Sequence, residues 1–373
     1  MKTTIKDITQ QTTGRIIAMS DIHGYVDYLK PILAQVHYTT EDTLVFVGDL
    51  IEKGPKSLET IRYVMKLQEE NDKVHVLMGN IEYSRIGVFF QEDDKSFYDS
   101  IQFAYRVWEC GMVLEMLEEQ GIDVEAVTME NVAEVRKKLV DIYDKELCFL
   151  WNLPTMITCG NFCFAHAGIP TNVSEKLTTE ELVKENAYAF MKIDAFVEVA
   201  KKYEKCVVVG HWPVCLYQKE INCMNAIFAE EKNVIAIDGG CALKIGAQLN
   251  ALVIPQKNAS MQECSVETYD DFPSFVASRN QEHQKATISI KYFDSEVKVL
   301  EEQEDVALVQ HVSSGVEFWE PITYLYKKAN GVFSGDFTNT WLEIRKGDII
   351  KVVERTSKGM IVKKDGMLGW YRE

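Results

Sequence analysis

Six side chains in this chain could together hold divalent cations: Asp21, His23, Asp49, Asn80, His166 and His211. Hard oxygen donors combined with imidazole suit a cation that must activate water. A carboxylate that reaches two ions about 3.5–4 Å apart makes a two-metal site. A lone histidine beyond a strand is ordinarily structural or a surface residue. Here every one of the six closely follows an apolar run that reads as a strand, and chance does not readily assemble such a set.

The elements that must position these residues are visible in the hydrophobic pattern. Residues 15–19 (R-I-I-A-M) read as a short strand that breaks at Ser20-Asp21-Ile22-His23-Gly24, ahead of a helix over 25–36 that contains Pro31. Residues 43–47 (T-L-V-F-V) repeat the arrangement, ending in Gly48-Asp49. The helix predicted after them, over 57–70, carries Leu58, Ile61 and Met65 at helical spacing. Residues 74–78 repeat it again, ending in Gly79-Asn80. Open α/β sheets keep their chemistry at the carboxyl ends of strands, and right-handed crossovers place these three ends on one edge.

From about 84 to 150 the chain reads as a helical insertion, with Val132, Val135, Leu139 and Ile142 marking one face. Strands return at 162–165, before His166, and at 206–209, before Gly210-His211-Trp212-Pro213. Segments 234–237 and 247–254 read as closing strands. Asp238 in the turn between them is a candidate support for His211, and Trp212 is expected to pack against the insertion. Three regions follow: a domain over 1–255, a polar connection over 256–285, and a β-rich domain over 286–373 that reads as a small barrel. The last contains a hairpin signal at Asp365-Gly366.

Hydrophobic content of 46% with 26% charged residues is that of a folded protein. A formal net charge of −17 opposes binding to nucleic acid or to an anionic membrane. A polyanionic substrate therefore needs a local positive centre, and a bound divalent metal is its most economical source. The amino terminus lacks the apolar core of a signal peptide and no run reaches membrane-span length, so a cytoplasmic location is expected. Nine cysteines without a C-x-x-C pair are expected to be reduced, mostly buried thiols.

The motifs carry a resemblance. S-D-I-H-G-Y at 20–25, G-D-L-I-E-K-G-P at 48–55, G-N-I-E at 79–82, A-H-A-G-I-P at 165–170, G-H-W-P at 210–213 and I-D-G-G-C at 237–241 resemble the calcineurin-like metallophosphoesterases. The match is to their phosphoprotein phosphatase branch, which includes bacterial diadenosine tetraphosphate hydrolases and phage-type serine/threonine phosphatases. The resemblance implies an α/β fold, a four-layer α-β-β-α sandwich. It implies one metal on Asp21, His23 and a bridging Asp49, and another on Asp49, Asn80, His166 and His211, the ions being Mn, Fe or Zn. It implies direct hydrolysis of a phosphomonoester on a phosphorylated protein, with a nucleotide polyphosphate as the alternative substrate. A catalytically weak metal-binding interaction protein is the third reading. The segment from about 322 is similar to an SH3-like barrel, on L-E-I-R-K-G-D-I-I-K-V-V at 342–353 and G-M-L-G-W-Y at 366–371, and implies a peptide or domain partner.

The chain departs from the family pattern in two places. Ile81 stands where the family has a histidine that protonates the leaving oxygen, and Glu52-Lys53 stand where it has Asp-Arg. The lysine keeps the charge but loses the bidentate fork. Either the metals suffice for good leaving groups, or Glu52 itself reaches the leaving group, with Ile81 keeping it protonated by desolvation. Asp49, Glu52 and Lys53 are thus the candidate catalytic residues, and Lys53 and Arg85 the candidates to grip phosphate.

Overall fold

In the computed structural model, which describes residues 2–91 and 93–373, the chain forms two compact units. The first holds the chain up to Trp212 with Ala226–Ala242 and Leu249–Tyr269. The second holds Pro213–Asn225, Leu243–Gln248 and Asp270–Glu373.

In the first unit the elements run β1 (Ile5–Asp7), β2 (Ile16–Met19), α1 (Val26–Gln35), β3 (Thr43–Phe46), α2 (Ser57–Glu70) and β4 (Val74–Val76). Helices α3 (Asn80–Phe90), α4 (Asp94–Phe103), α5 (Met112–Glu119), α6 (Val132–Ile142) and α7 (Asp144–Trp151) follow. Strands β5 (Met156–Cys159), β6 (Phe162–Ala165), β7 (Cys206–Val209), β8 (Ile227–Ala229), β9 (Val234–Ala236), β10 (Leu249–Ile254) and β11 (Ser265–Tyr269) complete it. One sheet has the order β11-β10-β2-β3-β4 and the other β1-β5-β6-β7-β9-β8. Strands β2, β3 and β4 are parallel, Ile16 opposite Thr43 and Leu44 opposite Val74, so their carboxyl ends share one edge.

Strand alternation builds the layers. Ile17, Met19, Leu44 and Phe46 point to one side and pack with Leu29, Ile32, Leu58, Ile61 and Val64 of the helices. Ile16, Ala18, Val45 and Val47 point to the other and pack with Phe162, Phe164, Val208 and Ile235 of the second sheet. Both faces of each strand are therefore buried, which is why these strands read as continuous apolar runs. A buried side chain of this size contributes about 1.5–3 kcal/mol.

Three strands were not foreseen: β1, β5 and β8. On α6, Val132 and Leu139 are buried as expected, but Ile142 is 46% exposed at the helix end. The stretch read as a connection supplies β11, antiparallel to β10, and β12 (Ser274–Val276), a strand of the second unit. Residues 264–269, which alternate like a strand in the sequence, coincide with β11, whereas β12 has mostly exposed side chains and carries little hydrophobic signal. The nine cysteines are free thiols, five of them buried. Among the described residues no helix is long and apolar enough to cross a membrane.

The second unit is all β. Strands β13 (Glu296–Glu302), β14 (Val306–His311), β15 (Glu317–Pro321), β16 (Leu325–Lys328) and β17 (Gly331–Ser334) form one sheet, ordered β15-β14-β13-β17-β16. Strands β18 (Ile349–Thr356), β19 (Gly359–Lys364) and β20 (Met367–Tyr371) form the other with β12. Asp365 and Gly366 have φ of 50° and 77° and join Lys364 to its partner Met367, the two-residue turn their types favour.

Glu320 in this unit is fully buried. Its Oε2 accepts from Ser334 Oγ at 2.5 Å, and its Oε1 has no partner among the described residues. Burial pushes its carboxyl up to about 8 from an ordinary 4.5, against the Ser334 hydrogen bond. Between those two pH values the folded chain keeps a proton that the unfolded chain has lost. Stability fully present below pH 4.5 is therefore lost as pH rises through 8, at about 1.4 kcal/mol per pK unit. Calorimetry between pH 5 and 9 should show the melting temperature of wild type falling with pH and a flatter profile for Glu320→Gln.

Candidate metal centre

The loops after β2 and β3 are zipped together by backbone hydrogen bonds. Asp21 N donates to Gly48 O (3.0 Å), His23 N to Asp49 O (3.0 Å) and Gly24 N to Leu50 O (2.8 Å). Gly48, at φ 84°, is required here because a Cβ would lie 2.7 Å from both Gly79 Cα and His166 Nδ1. Asp21, His23, Asp49 and His211 have φ of 52°, 49°, 53° and 65°, and Glu52 and Lys53 have 65° and 67°. Non-glycine residues in this region cost about 1–2 kcal/mol each, and such strain collects where the surroundings over-determine a functional geometry.

All six candidate ligands converge. Asp49, 1% exposed, divides its carboxylate: Oδ2 lies 3.8 Å from His23 Nε2, and Oδ1 lies 3.4 Å from His166 Nε2. Asp21 Oδ1 is 3.8 Å from His23 Nε2, and Asn80 Oδ1 is 3.0 Å from His166 Nε2. Asp21, His23 and Asp49 make one group able to hold a metal ion and Asp49, His166 and His211 another, with Asp49 common to both.

His23 Nδ1 lies 3.1 Å from Ile51 O and His166 Nδ1 lies 2.8 Å from Val47 O. An N–H donated to each carbonyl leaves Nε2 as the inward-facing ligand atom. Burial, with the positive charge of Lys53, holds His23 down to about 3. Burial and His166 do the same for His211. Burial and Asp49 push Asp21 up to about 6. Burial would raise Asp49 as well, but the paired His166 holds it well below the carboxylate range; burial opposes protonation of His166, and Asp49 holds it up to about 10.

Asp21, Asp49, Glu82 and Asp238 are four buried carboxyl groups beside His23 and His211, which burial keeps neutral, with the positive charge of His166 already paired to Asp49. Asp238 Oδ2 has no hydrogen-bond partner among the described residues, and burial with the Asp21 charge pushes its carboxyl well up. Such a donor set is starved of positive charge. Divalent cations fit it in both charge and ligand chemistry.

Other residues at the centre carried no assignment from sequence. Glu82 accepts three backbone N–H groups: Asp49 N and Gly79 N on Oε2 (2.9 Å each) and Leu50 N on Oε1 (2.7 Å). Its position three residues after Gly79 was the signal. Lys192 Nζ and Asp194 Oδ1 each lie 3.3 Å from His211 Nε2, and no motif marks either. Lys53 Nζ lies 3.3 Å from His23 Nε2, so lysines border the cluster on both sides.

Glu52 and Arg85 lie elsewhere. Glu52 Oε1 accepts from Met112 N (3.1 Å) at the start of α5, and Oε2 is 3.6 Å from Arg85 Nε. Burial pushes the Glu52 carboxyl up to about 7 against the Arg85 charge. Arg85 donates to Ser100 Oγ (2.6 Å) and lies 4.7 Å above the Trp108 ring. The pair engages the helical insertion, and neither residue belongs to the two ligand groups.

The family model for calcineurin-like phosphoesterases matches residues 14–237. A symmetrical bis(5'-nucleosyl)-tetraphosphatase of Vibrio cholerae is 32% identical over 105 residues, 28% of this chain and 38% of that protein. The chain thus spans about two fifths of that relative. The asymmetrical bis(5'-nucleosyl)-tetraphosphatase PrpE of Oceanobacillus iheyensis is 24% identical over 281 residues, 69% of this chain and 97% of that protein. Among solved structures, a putative diadenosine tetraphosphatase aligns over 72% of this chain and 97% of its own at 19% identity and a TM-score of 0.41. A Saccharomyces cerevisiae serine/threonine phosphatase aligns over 73% of this chain and 84% of its own at 11% identity and a TM-score of 0.43.

Removing Glu82 leaves three buried N–H groups unpaired and releases the loop that carries Asp49. Glu82→Ala should lower stability by about 2–4 kcal/mol in urea unfolding and should weaken Mn²⁺ binding measured by calorimetry. Glu82→Gln, which still offers one acceptor oxygen, should lose less of both.

Proposed function

Because the chain belongs to the calcineurin-like phosphoesterase family, we propose that its centre is a two-metal phosphohydrolase site acting on phosphoanhydrides, with a nucleotide polyphosphate as the substrate class. The observation that carries the two-metal reading is Asp49, whose two oxygens face different ligand groups. Asp21 and His23 on one side, and Asn80, His166 and His211 on the other, would complete the sites for Mn, Fe or Zn. Bound there, divalent ions supply Lewis acidity toward phosphoryl oxygen and a water of lowered pKa.

The chain's own residues do the rest. Lys53 and Lys192 border the cluster and would hold phosphoryl oxygens by charge, without the fork of an arginine. Ile81, 7% exposed, follows Asn80 and has no proton to give, and Glu52 is committed to Met112 N and Arg85. A leaving group must then depart as an anion. A phosphate leaving from an anhydride does so readily at neutral pH. An alkoxide from phosphoserine needs a proton, worth about 10²–10⁴ in rate.

This favours the anhydride over the phosphomonoester expected first from the sequence, and the relatives named as tetraphosphatases support the choice. A catalytically weak binding protein is the outcome if no substrate turns over. The antiparallel meander β18-β19-β20 supports reading the end of the chain as SH3-like.

With Mn²⁺, diadenosine tetraphosphate should be hydrolysed at least 10²-fold faster than a phosphoserine peptide, with p-nitrophenyl phosphate nearer the former. Equal rates on peptide and anhydride would overturn the substrate class. Asp49→Asn should abolish turnover and lower the metal content found by elemental analysis. Restoring a proton donor with Ile81→His should raise the rate on the phosphoserine peptide while changing the anhydride rate little.

A further inference from the structure

The second unit contains a cavity of about 300 Å³ that the catalytic reading does not use. Its walls include Phe318, Trp319, Trp341 and Trp370. The Trp341 and Trp370 rings stack at 5.9 Å and 28°. Three cations line it, Lys285, Lys358 and Arg372, and none of its lining residues is acidic, in a chain of formal net charge −17. Lys285 is paired with Glu220 at 2.7 Å. Lys358 and Arg372 lie over aromatic faces instead: Lys358 Nζ is 4.3 Å from the centroid of Trp319, and the Arg372 guanidinium is 4.9 Å from that of Trp341. An adjoining cavity of similar size shares Gln284, Trp341 and Arg372 and adds both Arg279 and the acidic Glu282.

We infer that this cavity binds a nucleoside polyphosphate, its base against the tryptophan faces and its phosphates on Lys358 and Arg372. Flat apolar walls alone would suit any ring, and cations alone would suit any anion. A ligand that satisfies both must join a planar aromatic group to a flexible anionic chain. Base stacking on an aromatic side chain is worth about 1–3 kcal/mol. An exposed cation–π contact is worth only about 0.5–1 kcal/mol, so the lysine and arginine can exchange an aromatic face for phosphate. The volume is at the small end for ligand pockets and suits a single nucleotide. The acidity of the whole chain opposes a long nucleic-acid strand.

The inference is independent of the substrate proposed for the metal centre, and its test separates the two. The metal-loaded full chain would be titrated with the non-hydrolysable imido analogue of ATP, following tryptophan fluorescence and calorimetric heat. Saturable quenching is expected, and it should persist when inorganic phosphate is added to occupy the metal centre. Lys358→Glu and Arg372→Glu should each weaken binding by about tenfold, the size of one lost charge-assisted contact, while p-nitrophenyl phosphate hydrolysis is unchanged. Trp341→Leu should reduce the quench with melting temperature retained. Absence of quenching, binding insensitive to Lys358→Glu, or full competition by inorganic phosphate would overturn the inference. So would equal or tighter binding of a poly-glutamate peptide or an oligonucleotide.

Discussion

The Asp49 carboxylate is shared between two groups of side chains, and the rest of the centre is arranged to keep it so. One oxygen faces His23 and the other faces His166, which also accepts the attention of Asn80. Ile81 N donates to Oδ1 at 3.0 Å, and Glu82 holds the Asp49 backbone N–H. Placing four carboxyl groups together out of water is unfavourable unless positive charge comes with them. The upward pressure on Asp21, Glu82 and Asp238 expresses that imbalance, since burial and mutual repulsion both oppose their ionisation. Cations at the two ligand groups would relieve it, so the metal chemistry and the stability of this region rest on the same electrostatics.

Backbone geometry bears the matching cost. Four of the six ligand candidates sit at positive φ, where side chains are ordinarily strained. The zipped loops after β2 and β3, the close approach of Gly48 to Gly79 and His166, and the Gly210 N–H on His166 O at 2.8 Å hold the loops in this conformation. The two sheets of the sandwich meet at this point. Val47 O, at the end of β3, accepts from the ring of His166, which follows β6 in the other sheet.

The loop beyond Asp49 carries this chain's departure from the pattern that the resemblance implies, while the candidate ligands match it. Glu52 is longer than the family's aspartate by one methylene; its Oε1 accepts from Met112 N, and its Oε2 faces Arg85 Nε at 3.6 Å without a hydrogen bond among the described residues. Gly111 permits this, because a Cβ there would collide with the Glu52 carboxyl. Ile81 beside Asn80 places an apolar side chain where the resemblance implies an acid, and on the proposed reading selection of a substrate would shift to the quality of its leaving group.

Much of the centre was legible because its positions obey a local rule: a buried strand, a glycine or tight turn, then a polar ligand. Asp49 and His211 follow this rule with Gly48 and Gly210, Asp21 and His166 come within two residues of their strands without a glycine between, and the apolar runs that precede all four are buried. Local patterning therefore determined the strand ends and the residue types that follow them, and the resemblance of the motifs to a known family implied the four-layer fold. Tertiary structure alone decided the rest. It turned Glu52 and Arg85 toward the helical insertion, brought Lys192 and Asp194 to His211, and made Glu82 a clamp on Asp49. It also assembled Trp319, Trp341 and Trp370 around one cavity. Those outcomes depend on which surfaces meet across long stretches of chain, and no periodicity or spacing encodes a contact between segments that only packing brings together.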